Sequence, residues 1–353
     1  MDTARGISRL AFDAVEQLTH IVEGMHANIA ALSLPFGRGT DGRTRGVTGF
    51  VYQSIRSVNA GARTALDRGL GLLPAEATPA ASGPLLSVLN GLLGDHLAAT
   101  ENPLAIPMQL RREGEPRSKR LLLIHGVCMS DRGWRRNGHD HGEALARDLG
   151  YEPLYLLYNS GRHVSENGRE LAGLLEELLA EPDTELTILA HSMGGLVARS
   201  ACHHAAEAGH AWPRRLDKIV FLGTPHLGAP LERGGRWLEL LLGVSPYSAP
   251  LARLGMVRGA GITDLRHGAS TPLPAGVTCH ALAGTRDVLV PVSSALGRHT
   301  DPDRRLAFPE EHCWVGSGVG HFDLLDDAAV YARLRAIMTP VEPPRDRRTP
   351  ASA

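Results

Sequence analysis

From about residue 104 to 338, short apolar runs alternate with helical patterns, and no other property of the chain narrows its fold as much. LAIPMQLRR, KRLLLIHGV, PLYLLYN, ELTILAHS, DKIVFLGTPH and the run ending in CHALAG read as strands rich in Leu, Ile and Val. The first two read as joined by the turn EGEP, and GHDHGEALARDLG and ENGRELAGLLEELLAE read as helices lying between strands. Strands buried on both faces carry nearly continuous apolar runs. The pattern therefore predicts an α/β fold, a mainly parallel sheet with helices on both faces. Residues 228–275 break the rhythm with Gly, Pro and the apolar piece RWLELLLG. They read either as a lid-like insertion over an apolar pocket or as a helix packed on the core. Residues 340–353, rich in Pro and Arg, read as a disordered tail.

Residues 1–100 follow a different period. Ile7, Leu10, Ala11, Val15, Leu18, Ile21, Val22, Met25 and Ile29 recur at helical spacing. Val47, Phe50, Val51, Ile55, Val58, Ala62 and Leu66 form a second such stripe beyond the turn FGRGTDGRTRG. Ser82-Gly83-Pro84 opens a third apolar stretch, with Ser82 as a cap and Pro84 as a first helical residue, although Gly91 and Gly94 weaken it. The segment reads as a helical N-terminal cap or appendage packed on a catalytic domain at 104–338. A membrane- or partner-binding module is the second reading, drawn from Arg38, Arg43, Arg45, Arg56, Arg63 and Arg68 set against Asp41 and Asp67.

Bulk properties exclude more than they specify. A formal net charge of −1 gives no general attraction to nucleic acid or to anionic membranes. Lysine occurs only at Lys119 and Lys218, a bias read as compositional. Cys128, Cys202, Cys279 and Cys313 are scattered without metal-type spacing, and a chain of 353 residues has little use for a disulfide framework. No secretory h-region or membrane-spanning apolar run is present, so the expectation is a cytoplasmic protein with peripheral membrane contact left open. The oligomeric state is not legible.

The chemistry centres on ELTILAHSMGGLVARSA. An apolar run ends at Ala190, small residues surround Ser192, and a helical pattern begins at Leu196 and Val197. This is the strand–turn–helix setting of a nucleophile elbow, whose crowded backbone needs tiny residues two places before and after the serine. Here these are Ala190 and Gly194, while Gly195 allows the helix to approach the sheet. The N–H of Met193 is the first expected oxyanion donor, and the N–H of Val127, after the strand ending at His125-Gly126, is the second, with Cys128 as fallback. His125 reads as a residue fixing that loop.

Base and acid are expected in the order serine, acid, histidine. His321, in SGVGHFDLL, reads as the base. His226 in GTPHLGAP is its rival and reads rather as part of the site wall. Asp287, directly after an apolar strand in ALAGTRDVLVP, reads as the acid, with Asp264 as runner-up and Asp323 as the cap of the following helix. Arg162 and His163 are candidates for binding polar groups of a substrate, and Trp237, in the lid-like insertion, for binding its acyl part. Asn167-Gly168-Arg169-Glu170 reads as a helix cap with Glu170 reaching back. The chemistry calls for no cofactor, and His139-Asp140-His141 lacks the third-ligand pattern of a metal site.

HGVCMSDRGW, YNSGRHVSENGREL, AHSMGGLVARSA, FLGTPHLGAPLER, DVLVPVSSALG and GVGHFDLL together resemble the lipase and esterase branch of the α/β-hydrolases. Bacterial proteins similar to GPI inositol-deacylases and triacylglycerol lipases are the nearest in pattern. The resemblance covers about residues 120–330, departs at Ala190 and Val288 where glycine is expected, and leaves residues 1–100 uncovered. It implies the same triad and oxyanion hole, and hence hydrolysis of an acyl ester, lipid esters included. Acyl transfer by the same triad and a non-catalytic scaffold are the alternatives.

Overall fold

The computed structural model describes residues 2–32, 43–44, 46–71, 83–179, 183–229, 259–268 and 271–339. Trp237, Ser82, most of the 228–275 insertion and the 340–353 tail lie outside them. Strands β1 (Gln109–Arg112), β2 (Lys119–Ile124), β3 (Glu152–Leu157), β4 (Glu185–His191), β5 (Leu216–Leu222), β6 (Thr278–Gly284) and β7 (Cys313–Gly316) form one sheet in the order β1-β3-β2-β4-β5-β6-β7. Every neighbouring pair is parallel except β1 with β3.

The EGEP turn does not make a hairpin. β3 stands between β1 and β2, with Gln109 opposite Leu157 and Ile124 opposite Leu156. Burial explains the difference. KRLLLI is apolar on both faces and almost wholly buried, which suits a strand with neighbours on both sides, whereas QLRR is half-exposed and suits an edge.

Alternate residues of the central strands enter two cores. Leu122, Ile124, Ile188, Ala190, Ile219 and Phe221 join the cluster that includes Leu171 and Leu175 of α5 (Val164–Leu178) and Leu196 and Val197 of α6 (Met193–Ala208). Leu121, Leu123, Leu189, Val220 and Leu222 join Trp134, Leu145 of α4 (His141–Leu149) and Val330 and Leu334 of the C-terminal helix (Ala328–Met338). The period of two in the strands thus sorts the side chains onto two helical layers. That C-terminal helix is capped by Asp327, which accepts from the N–H groups of Ala329 and Val330, and not by Asp323. Helix α5 likewise starts at Val164 rather than after Asn167, whose amide instead donates to the carbonyl of Asn159 at 3.0 Å.

The chain divides into two compact units: residues 1–86 with 96–106, and 87–95 with 107–353. In the first, α1 (Asp2–Leu32) and α2 (Gly46–Gly71) form a pair whose seam is polar. Glu23 meets Arg56, Asp13 meets Arg63, and Arg9 meets Asp67 at 2.6–3.0 Å. Arg56 holds the Glu23 carboxyl below its usual range. The basic excess read from the sequence is thus partly spent inside the pair. The apolar stripes of both helices face outward, with Leu18 62% and Phe50 72% exposed.

Helix α3 (Pro84–Ala99) starts at Pro84 as expected, with Gly83 at its N-cap. Its two inner glycines, which weaken it as a sequence, are demanded by packing. A Cβ on Gly91 would run into Cys128, and one on Gly94 into the side chain of Asn159. For this reason Ser87–Asp95 groups with the sheet, ahead of the boundary near residue 104 read from the sequence. Gly94→Ala is expected to lower stability in urea unfolding by about 1–3 kcal/mol through overpacking. Gly173→Ala in α5, where an added Cβ meets nothing within 4 Å, should instead raise it by about 0.5–1 kcal/mol.

Candidate active site

The predicted residues sit where strands end. β4 runs through His191 into Ser192, which caps the N-terminus of α6 with φ 54° and ψ −126°. Positive φ in a non-glycine residue costs about 1–3 kcal/mol and persists only where the surroundings hold it. Two close approaches do so here: a Cβ on Gly194 would strike the carbonyls of Ile124 and His125, and one on Gly195 would strike Thr224. Ala190, where glycine is expected, is fully buried in the sheet opposite Ile124 and Phe221. Val288, the other departure, points to solvent at 67% exposure.

Backbone hydrogen bonds step from the serine across the sheet. Ser192 N–H donates to the Leu222 carbonyl at 2.9 Å, and Gly223 N–H donates to the Leu282 carbonyl at 2.8 Å. Gly223 has φ 56°, and a Cβ there would stand 3.2 Å from both Asp287 Oδ2 and His321 Nδ1. Glycine thus leaves room for the pair that closes beside it: His321 Nδ1 lies 2.7 Å from Asp287 Oδ2, with the two side chains 4% and 1% exposed. The other oxygen, Oδ1, accepts from the N–H groups of Leu289 and Val290 at 2.9 and 2.8 Å. A carboxylate held this way keeps the imidazole proton on Nδ1 and leaves a lone pair on Nε2.

The loop after β2 completes the arrangement. A Cβ on Gly126 would lie 3.0 Å from Ser192 Cβ, so this loop abuts the serine. Cys128 N–H is already taken by Ser160 Oγ at 3.0 Å, which removes the fallback donor. Tyr158 OH donates to the His125 carbonyl at 2.8 Å, and its ring stacks on the His125 ring. Met193, as first residue of α6, has no intrahelical acceptor for its N–H.

Several candidates are placed elsewhere. Asp264 accepts from Val164 N–H at 2.8 Å and pairs with His163, so it caps α5 from a distance. Arg162 is held by Glu166 and Glu170, which redirects Glu170 from the capping role read for it. His226 is 1% exposed, with Arg199 3.1 Å from its Nδ1 and its ring against Phe221 and Phe308. At that burial it offers no open surface to a ligand. Asp323 accepts from Gly320 N–H at 2.8 Å, tying down the turn before His321. In the HDH run, Asp140 caps α4 and accepts from Tyr155 OH.

Sequence reasoning passed over His191, whose Nε2 donates to the His321 carbonyl at 3.0 Å while its ring lies 4.7 Å from that of His321. Its place next to Ser192, at the buried end of a strand, was the available signal. Ser160 was missed too, although the segment holding it was singled out for Arg162 and His163.

Burial pushes His125 down to about 4 and His191 and His226 well below the usual imidazole range. Of the buried histidines around Ser192, His321 is the one with a carboxylate partner. Burial likewise lowers His141 to about 4. These groups bind protons more readily unfolded than folded, so stability rises with pH between about 4 and 6.5, by up to about 1.4 kcal/mol per pH unit for each histidine. Carboxylates held low, such as Asp67 and Glu176, lose their contribution only as pH falls below the usual carboxylate range. The urea midpoint is therefore expected to be level between about pH 7 and 8 and to drop between 6.5 and 4. A level midpoint across that window would contradict neutral burial.

A mostly parallel sheet of this order, with a central strand turning through a strained serine into a helix, is an α/β-hydrolase fold. A family model described as a domain of unknown function (DUF7379) matches residues 95–267. No curated protein matches the chain. Among solved structures, the mature form of lipase BlEst2 from Bacillus licheniformis is similar at 19% identity and TM-score 0.45, covering 66% of this chain and 98% of that one. A thermophilic esterase from Thermogutta terrifontis is similar at 15% identity and TM-score 0.44, covering 65% and 92%. The type II thioesterase YbtT of the yersiniabactin pathway is similar at 18% identity and TM-score 0.46, covering 64% and 96%. The fold assignment stands on the sheet order and the turn at Ser192.

Proposed function

We propose that the chain is a serine carboxylic-ester hydrolase, an esterase or lipase-like enzyme working through an acyl-enzyme. The observation that carries this reading is the strained Ser192 set across one hydrogen-bonded step from the Asp287–His321 pair. Ser192 Oγ attacks the acyl carbon as His321 Nε2 takes its proton, and Asp287 holds the imidazolium that forms. Charge gathering on the carbonyl oxygen meets the N–H groups of Val127 and Met193. The tetrahedral centre collapses, His321 returns the proton to the leaving alcohol, and the acyl group stays on Ser192. Water then repeats the cycle and frees the acid.

Turnover of p-nitrophenyl esters from two to sixteen carbons, with fluorophosphonate labelling, tests the reading. Hydrolysis together with labelling supports it, and the preferred chain length separates esterase from lipase. Labelling without hydrolysis, followed by product formation once an alcohol or thiol acceptor is added, would assign acyl transfer. Neither labelling nor turnover would leave a scaffold with a hydrolase fold.

A further inference from the structure

The α1–α2 pair is built the wrong way round for a helix pair that stands alone. Its seam is a ladder of ions, and its apolar rows point away from that seam. On α1, Ile7, Ala11, Ala14, Leu18, Ile21 and Met25 follow one another at alternating steps of four and three. On α2, Val51, Ile55, Val58, Ala62 and Ala65 do the same. That spacing is the heptad pattern of helices that pack along their length against other helices. Among the described residues these rows have no cover: Ile7 and Met25 are each 58% exposed, Leu18 62% and Val58 71%. Each row presents on the order of 500 Å² of apolar surface, the size at which an exposed patch marks an interaction site.

Charge distinguishes the occupant. Helix α1 carries two more acids than bases and α2 two more bases than acids, and these ions meet in the seam, so the pair is neutral overall. A neutral pair without lysine has no electrostatic draw to an anionic bilayer, and an interfacial helix keeps its charged face in water rather than in a seam. The two apolar rows, each turned away from the shared seam, also cannot both lie on one flat lipid surface. Other copies of the same hairpin can cover both. We propose that the chain self-associates through this pair, with the apolar row of α1 in one copy packing on that of α2 in another.

Sedimentation velocity on the full chain at micromolar concentration tests this, with the variants Leu18→Glu/Ile21→Glu and Val51→Glu/Val58→Glu alongside. All four positions are exposed, so folding should survive, and circular dichroism with the urea midpoint checks it. Milder Leu18→Gln and Val58→Gln variants cover the case in which glutamate unfolds the helices. The expected result is a wild type at a multiple of the 37.8 kDa chain mass, and folded variants at the monomer mass. A monomeric wild type would overturn the proposal, as would an oligomer that every folded variant retains. A monomer that co-sediments with phosphatidylcholine or phosphatidylglycerol vesicles, and no longer does so after substitution, would assign the surface to lipid instead.

Discussion

Ser192→Ala is expected to lower kcat for p-nitrophenyl esters by about 10⁴–10⁶-fold and to abolish fluorophosphonate labelling, with little change in KM. On the proposed mechanism, removal of Oγ takes away the atom that forms the acyl-enzyme. On the same mechanism the N–H groups of Val127 and Met193 would still polarise the carbonyl, which sets the residual rate. Because the backbone at Ser192 sits at φ 54° and ψ −126°, Ser192→Gly should be equally inactive yet about 1 kcal/mol more stable, since glycine relieves strain that exceeds its own entropic cost. A stable, inactive glycine variant would tie the strain to the chemistry. Retention of even a hundredth of the activity in Ser192→Ala would move the nucleophile elsewhere.

Asp287→Asn is expected to lower kcat by about 10⁴-fold. The Oδ1 position is committed to the N–H groups of Leu289 and Val290. An asparagine must keep its carbonyl there and turn its NH₂ toward His321. That donor obliges Nδ1 to accept, which places the ring proton on Nε2 and removes the lone pair that would take the Ser192 proton. Asp264→Ala is the paired control. Its carboxylate caps α5 and pairs with His163, so its loss should cost about 0.5–2 kcal/mol of stability while kcat stays within a few-fold of wild type. Equal damage to kcat from both substitutions would undo the assignment of the acid.

Local signals carried much of this reading. Apolar runs in alternation foretell a parallel sheet because both faces of each strand must be buried. The tiny residues around Ser192 foretell the tight turn because only they fit against the carbonyls of β2. What escaped was set by contacts distant along the chain. No feature of EGEP reveals that β3 will enter between β1 and β2. Asp264 is as acidic as Asp287 on paper, and only the fold shows that one meets a helix N-terminus and the other an imidazole. Gly91 and Gly94 look like defects in a helix until Cys128 and Asn159 arrive beside them. The helical stripes of α1 and α2 were legible as stripes, but an apolar period does not say which way it faces. In this pair the matched ions took the inside.

The hydrogen-bonded step from Ser192 through Leu222 and Gly223 to Leu282 has an evolutionary corollary. Ser192 and Gly223 directly follow the last residues of β4 and β5, and residues 230–258 come only after Gly223. Insertions and deletions within residues 230–258 can be sampled without altering these hydrogen bonds. On the proposed reading, descendants of such a sequence are free to change what they accept while inheriting the same turn at Ser192.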